Sequence, residues 1–124
     1  MIETQVQDIF VREATRLGIW AFRVCAEAKR GRVPGAPKGT FDLCLPDLGW
    51  MEFKMRGKKM SPEQIEFQSR CRRRGVREAV ITEGDGGTSE MVTRAIKLAL
   101  AWRAEEGMPR RVCPSSRCPL EERL

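Results

Sequence analysis

The sequence predicts an α/β domain in which a mixed central β-sheet is flanked by helices. Three observations lead there. Apolar residues recur at helical spacing near both ends of the chain, and short runs of strand formers lie between. The order of segments is helix, strand, strand, strand, helix, strand, helix. That order sets a hairpin before a strand–helix–strand unit, which a mixed sheet with helical layers accommodates. The right-handed crossover rule places the helix of that unit on one face of the sheet.

Each element has its own justification. Residues 2–17 carry Ile2, Val6, Ile9, Phe10, Ala14 and Leu17 at helical spacing, and Gly18 terminates them. "IWAFRVC", residues 19–25, is rich in strand formers, while the following "AEAKRGRVPGAPKGT" reads as a mobile basic loop. "FDLCLP" (41–46) and "WMEFKM" (50–55) are strands joined by the turn "PDLG", hence a hairpin. After the basic loop "RGKKM", residues 61–75 carry helix punctuation at both ends: Ser61 as N-cap, Pro62 at the first helical position and Gly75 as the stop. "VREAVIT" (76–82) is the last strand. Residues 89–105 form the last helix, with Met91, Val92, Ala95, Ile96, Ala99 and Trp102 on one side. Residues 1–106 are therefore expected to form the domain, and 107–124 a Pro- and Cys-containing tail.

Composition narrows the chemistry. A chain of 124 residues with 41% hydrophobic residues fits one folded domain. Its net charge of +6 points to an anionic partner, nucleic acid foremost. With no His and no Tyr, a His general base, a Ser-His-Asp triad and a tyrosine nucleophile are all excluded. The five Cys are odd in number and scattered, and the opening "MIETQVQDIF" lacks a basic start and an apolar run. A cytoplasmic protein with reduced thiols is expected. Cys113 and Cys118 alone are too few for zinc in a chain without His. No apolar run approaches the roughly 20 residues of a membrane span, so no membrane partner is expected.

The segment 39–64, "GTFDLCLPDLGWMEFKMRGKKMSPEQ", carries the chemistry. Alternation along a strand puts Glu52 and Lys54 on one face, and Met51, Phe53 and Met55 on the other. Asp42, opposed to Phe41 and Leu43, can lie across from Glu52 on the polar face. Two such carboxylates repel unless they share a cation or a proton, and their hard oxygens suit Mg²⁺ or Mn²⁺. A lysine beside them can hold a phosphate oxygen or orient a water, an arrangement suited to phosphodiester hydrolysis. The plainer alternative is a solvated hairpin face with a weak Glu52–Lys54 pair.

The chain resembles the VRR-NUC nucleases, a branch of the PD-(D/E)xK superfamily. The matching residues are Gly39-Thr40-Phe41-Asp42, Glu52-Phe53-Lys54, Gly57-Lys58-Lys59 and Ser61-Pro62-Glu63-Gln64, closed by Gly75, over roughly residues 2–82. Phe41 stands where the family usually has Pro. The resemblance implies a restriction-endonuclease-like core and a Mg²⁺- or Mn²⁺-dependent deoxyribonuclease that acts on branched or structured DNA. It further implies a homodimer in a bacterial or phage-infected cell. Asp42, Glu52 and the Phe53 carbonyl are implied as metal ligands, Lys54 as the catalytic lysine and Gln64 as a helix glutamine beside the site. Gln64 also has a local reading, since Ser61 and Gln64 form an S-x-x-Q capping box.

A first-helix carboxylate completes the implied set. Glu3, 15 residues before Gly18, has the family's spacing, while Glu13 lies on the apolar face, where it needs a metal, Arg16 or Arg23 as partner. Lys38, Arg56, Lys58 and Lys59 are the expected DNA contacts, whereas Arg72–Arg74 suit a helix C-terminus. The last helix, with Trp102, offers an apolar face for dimerisation. The alternative function is a non-catalytic nucleic-acid-binding module of the same fold.

Overall fold

The computed structural model describes residues 2–106; Cys113, Cys118 and the rest of the expected tail lie outside them. The elements are α1 (Glu3–Arg16), β1 (Phe22–Arg23), α2 (Ala26–Lys29), β2 (Leu43–Leu45), β3 (Gly49–Lys54), α3 (Pro62–Arg73), β4 (Glu78–Thr82) and α4 (Gly87–Glu106). The four strands form one mixed sheet in sequential order. β1, β2 and β3 run antiparallel, and β4 returns parallel to β3 after α3 crosses over.

Two apolar layers cover the sheet. Leu43, Leu45, Met51, Phe53 and Ile81 face one cluster with Val6, Phe10 and Ala14 of α1 and Met91, Ala95 and Trp102 of α4. On the opposite face Trp50 and Val80 pack against Phe67 and Cys71 of α3, joined by Phe41. The hairpin face expected to be polar is thus a second buried layer. Glu52, a neighbour of Trp50 on that face, is 1% exposed, which removes the solvated-pair reading.

Three expectations need correction. The basic segment after β1 is not all loop: it opens with the short helix α2, whose four residues are too few for periodicity to show. The first strand, expected over residues 19–25, is only Phe22–Arg23, because β2 offers just three residues for pairing. Asp42 also sits at a bend, so Phe41 does not alternate onto Leu43's side but joins the α3 cluster. Its ring packs 4.9 Å from that of Phe67, centroid to centroid.

The apolar side of α4 does not face outward. Met91, Val92, Ala95, Ala99 and Trp102 are buried in the chain's own core, and Ile96 packs partly buried against it. Among the described residues no helix is long and apolar enough to cross a membrane.

Candidate metal centre

Three elements deliver one carboxylate cluster. The β2–β3 pairing ends at Leu43↔Met51, and the bend at Asp42, one residue before β2, keeps it beside Glu52, one residue beyond Met51. The backbone N–H of Asp42 donates to Glu52 Oε1 at 2.8 Å, which locks the two together. α1 docks through Val6, Phe10 and Ala14, with the Phe10 and Phe53 rings edge to face at 5.7 Å. That docking brings Glu3, in the first turn, over the pair. Carboxylate oxygens of Glu3, Asp42 and Glu52 all lie within 4.8 Å of one another.

The donor set fits a hard divalent cation: carboxylate oxygens only, two of the three residues almost fully buried. Without a metal ion their mutual repulsion is relieved by neighbouring ammonium groups and by protons. Burial first, then the Asp42 charge, pushes the Glu52 carboxyl up to about 8, against the opposing pull of the Asp42 N–H and of Lys54. Burial and the Asp42 carboxylate likewise push Glu3 up to about 7.

The lysine of the E-x-K tripeptide lies beside this cluster. Lys54 Nζ is 3.5 Å from Glu52 Oε2, and its side chain is mostly buried. Gln64 resolves its two readings by satisfying both. Its side-chain oxygen accepts the Ser61 N–H at 2.9 Å, and Ser61 Oγ accepts the Gln64 N–H at 3.1 Å, which completes the capping box. The remaining amide hydrogens point inward, and Nε2 donates to Glu52 Oε2 at 2.9 Å.

Gly39 explains the approach to Asp42. Its φ of +91° is open to glycine, and a Cβ there would sit 2.4 Å from the Glu63 carbonyl carbon. The backbone before Asp42 therefore lies directly on the first turn of α3, which places Gln64 and Asp42 around the same Glu52.

Glu13 is not brought to the cluster. It pairs with Arg16 at 3.3 Å and borders a separate groove with Ile9, Thr88, Val92 and Ile96 between α1 and α4. Arg23, its other possible partner, holds Asp8 at 3.0 Å. The expected DNA contacts lie around the centre with different degrees of freedom. Lys58 and Lys59 are exposed in the loop that leaves β3. Lys38 faces Glu63 at 3.9 Å, and Arg56 is tied to the Gly84 carbonyl at 2.7 Å.

Two residues at the centre were not singled out from sequence. Gln7 is 5% exposed, and its Nε2 donates to Asp42 Oδ2 at 2.8 Å and Glu3 Oε2 at 3.2 Å. Its signal is positional: it follows Glu3 by one helical turn on the face α1 buries. Lys29 lies in the segment whose composition predicts only a mobile basic loop. It reaches in from α2 and pairs with Asp42 Oδ1, a buried oxygen that receives no hydrogen bond of regular geometry. Burial alone would lower its ammonium's pKa, but Asp42, with Glu52 and Glu3, outweighs that and raises it. Glu3, Gln7, Lys29 and Asp42 line a cleft of about 240 Å³.

No family model, curated protein or solved structure matches this chain.

Proposed function

We propose that this chain is a metal-dependent endonuclease that hydrolyses DNA phosphodiester bonds, with a restriction-endonuclease-like core of the VRR-NUC type. The observation that carries the reading is the convergence of Glu3, Asp42 and Glu52 within 4.8 Å, beside Lys54. A net charge of +6 in a chain without His fits an anionic substrate and a carboxylate-based site.

Glu3, Asp42 and Glu52 would hold Mg²⁺ or Mn²⁺, with the Phe53 carbonyl as a further ligand. Bound there, the cation would supply Lewis acidity and charge neutralisation for phosphodiester hydrolysis. Everything else falls to the chain. Gln64 and the Asp42 N–H hold the Glu52 carboxylate in one orientation through its two oxygens. Gln7 does the same for Asp42 and Glu3. Lys54 stands beside Glu52 as a fixed cation that grips a non-bridging phosphate oxygen or orients the attacking water. Lys38, Arg56, Lys58 and Lys59 would hold flanking phosphates, which sets register without reading bases.

The test pairs wild type with Lys54→Ala on supercoiled plasmid and on a labelled four-way junction, in Mg²⁺, Mn²⁺ or EDTA. Cleavage that needs both the metal and Lys54 is the expected result, and preference for the junction would place the substrate among branched DNAs. Salt-sensitive binding with no cleavage in any metal sinks the nuclease and leaves a non-catalytic nucleic-acid-binding module.

A further inference from the structure

The segment between β1 and β2 carries Lys29, Arg30, Arg32 and Lys38. Three of them turn to partners outside the cluster. Arg30 and Arg32 hold Glu27 at 3.3 and 3.4 Å, and Lys38 faces Glu63 at 3.9 Å. Lys29 is the one that reaches Asp42.

Its backbone is fixed for that contact. The Val24 N–H donates to the Asp42 carbonyl at 2.7 Å, just ahead of α2. The Lys29 carbonyl accepts the Gly39 N–H at 3.0 Å, just ahead of Thr40 and Asp42. α2 is thus tied to the Asp42 strand on both sides, and Ala28 is buried beneath it. Asp42 Oδ2 receives the Gln7 amide and Oδ1 faces the Lys29 ammonium. A carboxylate oxygen can accept a hydrogen bond and bind a metal at once, so the amide can stay, but the ammonium sits where a cation on Oδ1 would be. A neutral amide tolerates a neighbouring dication, whereas an ammonium at contact distance is repelled by it. The lysine is therefore the group that leaves, and its side chain, 36% exposed, already opens to solvent.

We propose that Lys29 is the resident counter-ion of the carboxylate cluster: its ammonium occupies the cation locus in the metal-free protein and is expelled when a divalent ion binds. The proposal rests on the metal-site reading above. Once expelled, Lys29 remains tethered by α2 at the mouth of the cleft, so its own charge faces an incoming phosphate only in the metal-loaded form.

Lysine-selective acylation of the full chain, read by mass spectrometry, tests this in EDTA and in saturating Mg²⁺ or Ca²⁺. Lys29 reactivity is expected to rise several-fold with metal, while the exposed Lys59 and Lys97 serve as unchanged references. Calorimetry runs alongside, and Lys29→Gln is expected to bind Mg²⁺ tighter by about threefold to tenfold, since the competitor is gone. Unchanged or falling Lys29 reactivity, where calorimetry shows metal bound, overturns the counter-ion alone. Weaker metal binding by Lys29→Gln overturns it too. Wild-type protein that takes up no divalent ion overturns both this proposal and the nuclease reading.

Discussion

Gln64 serves a helix end and a carboxylate with one side chain, and substitution can separate the two tasks. Ser61→Ala removes one cap bond and leaves the Nε2 contact to Glu52, so it should cost about 1 kcal/mol of stability and spare cleavage. Gln64→Leu should cost at least as much and in addition cut the cleavage rate by about tenfold or more, because Glu52 loses an orienting donor. Urea unfolding and single-turnover cleavage of both variants check the separation; equal activity losses would tie Gln64 to the cap alone. Glu52 itself makes a pH prediction. Its folded carboxyl titrates near about 8 and that of Glu3 near about 7, against an ordinary 4.5, so between those values the native state holds protons that the unfolded chain has released. Their contribution is fully present below about 4.5 and is lost as pH rises through about 7 and about 8. The melting temperature in EDTA should therefore fall across that window, Glu52→Gln should flatten its upper part, and Mg²⁺ should abolish it. A melting temperature that climbs through the window would contradict this.

At the scale of elements, local punctuation was the most legible part of the chain. Ser61, Pro62 and Gly75 bracket α3, and the apolar periods of α1 and α4 mark both helices, because caps and periodicity are local signals. Glu52 and Lys54 were legible together because strand alternation fixes which side chains share a face, whereas Asp42, at a bend, reaches them through its backbone N–H to Glu52. What escaped depends on packing at a distance. The four residues of α2 make a single turn, so Lys29 looked like any loop cation. Gln7 is polar by type and buried by docking, which only the α1–sheet contact decides. Alternation also said nothing of α3 covering the Glu52 face. Gly39 belongs to this scale because it joins two elements. Gly39 and Gly57 share similar positive φ, +91° and +83°, but a Cβ at Gly57 meets nothing within 4 Å. Gly57→Ala should cost about 1 kcal/mol of strain, and Gly39→Ala should cost more, about 2–4 kcal/mol, because the α3 backbone blocks it. Chemical denaturation of the two variants side by side measures the difference, and equal costs would mean that the two backbones can part freely.

Across the whole molecule the surplus positive charge is unevenly available. Arg70 and Arg73 share Glu66, Arg72 holds Glu78, and Arg77 spans Glu105 and Glu106. Among the described residues no ion pair engages Lys58 or Lys59, which follow the strand that carries Lys54. DNA affinity measured by anisotropy over a range of salt should show a slope that falls by about 1 for each of Lys58→Ala and Lys59→Ala, and barely moves for Arg73→Ala. Equal slopes in all three variants would detach DNA binding from the loop after β3.

Glu3 belongs to the first turn of α1, where backbone N–H groups have no partner within the helix. Ile2 ahead of it carries no capping oxygen, and the turn is closed instead by Gln5, whose side chain accepts the Ile2 N–H at 3.0 Å. One of the three carboxylate arms of the proposed centre thus rides on a helix end, the part of a helix that frays most readily. If the cluster holds an ion as proposed, the fraying of one helical turn would govern how long the ion stays. Exchange of the Val6 amide, whose N–H donates to the Ile2 carbonyl at 3.2 Å, would then serve as a clock for ion release, running independently of whether the rest of the molecule ever unfolds.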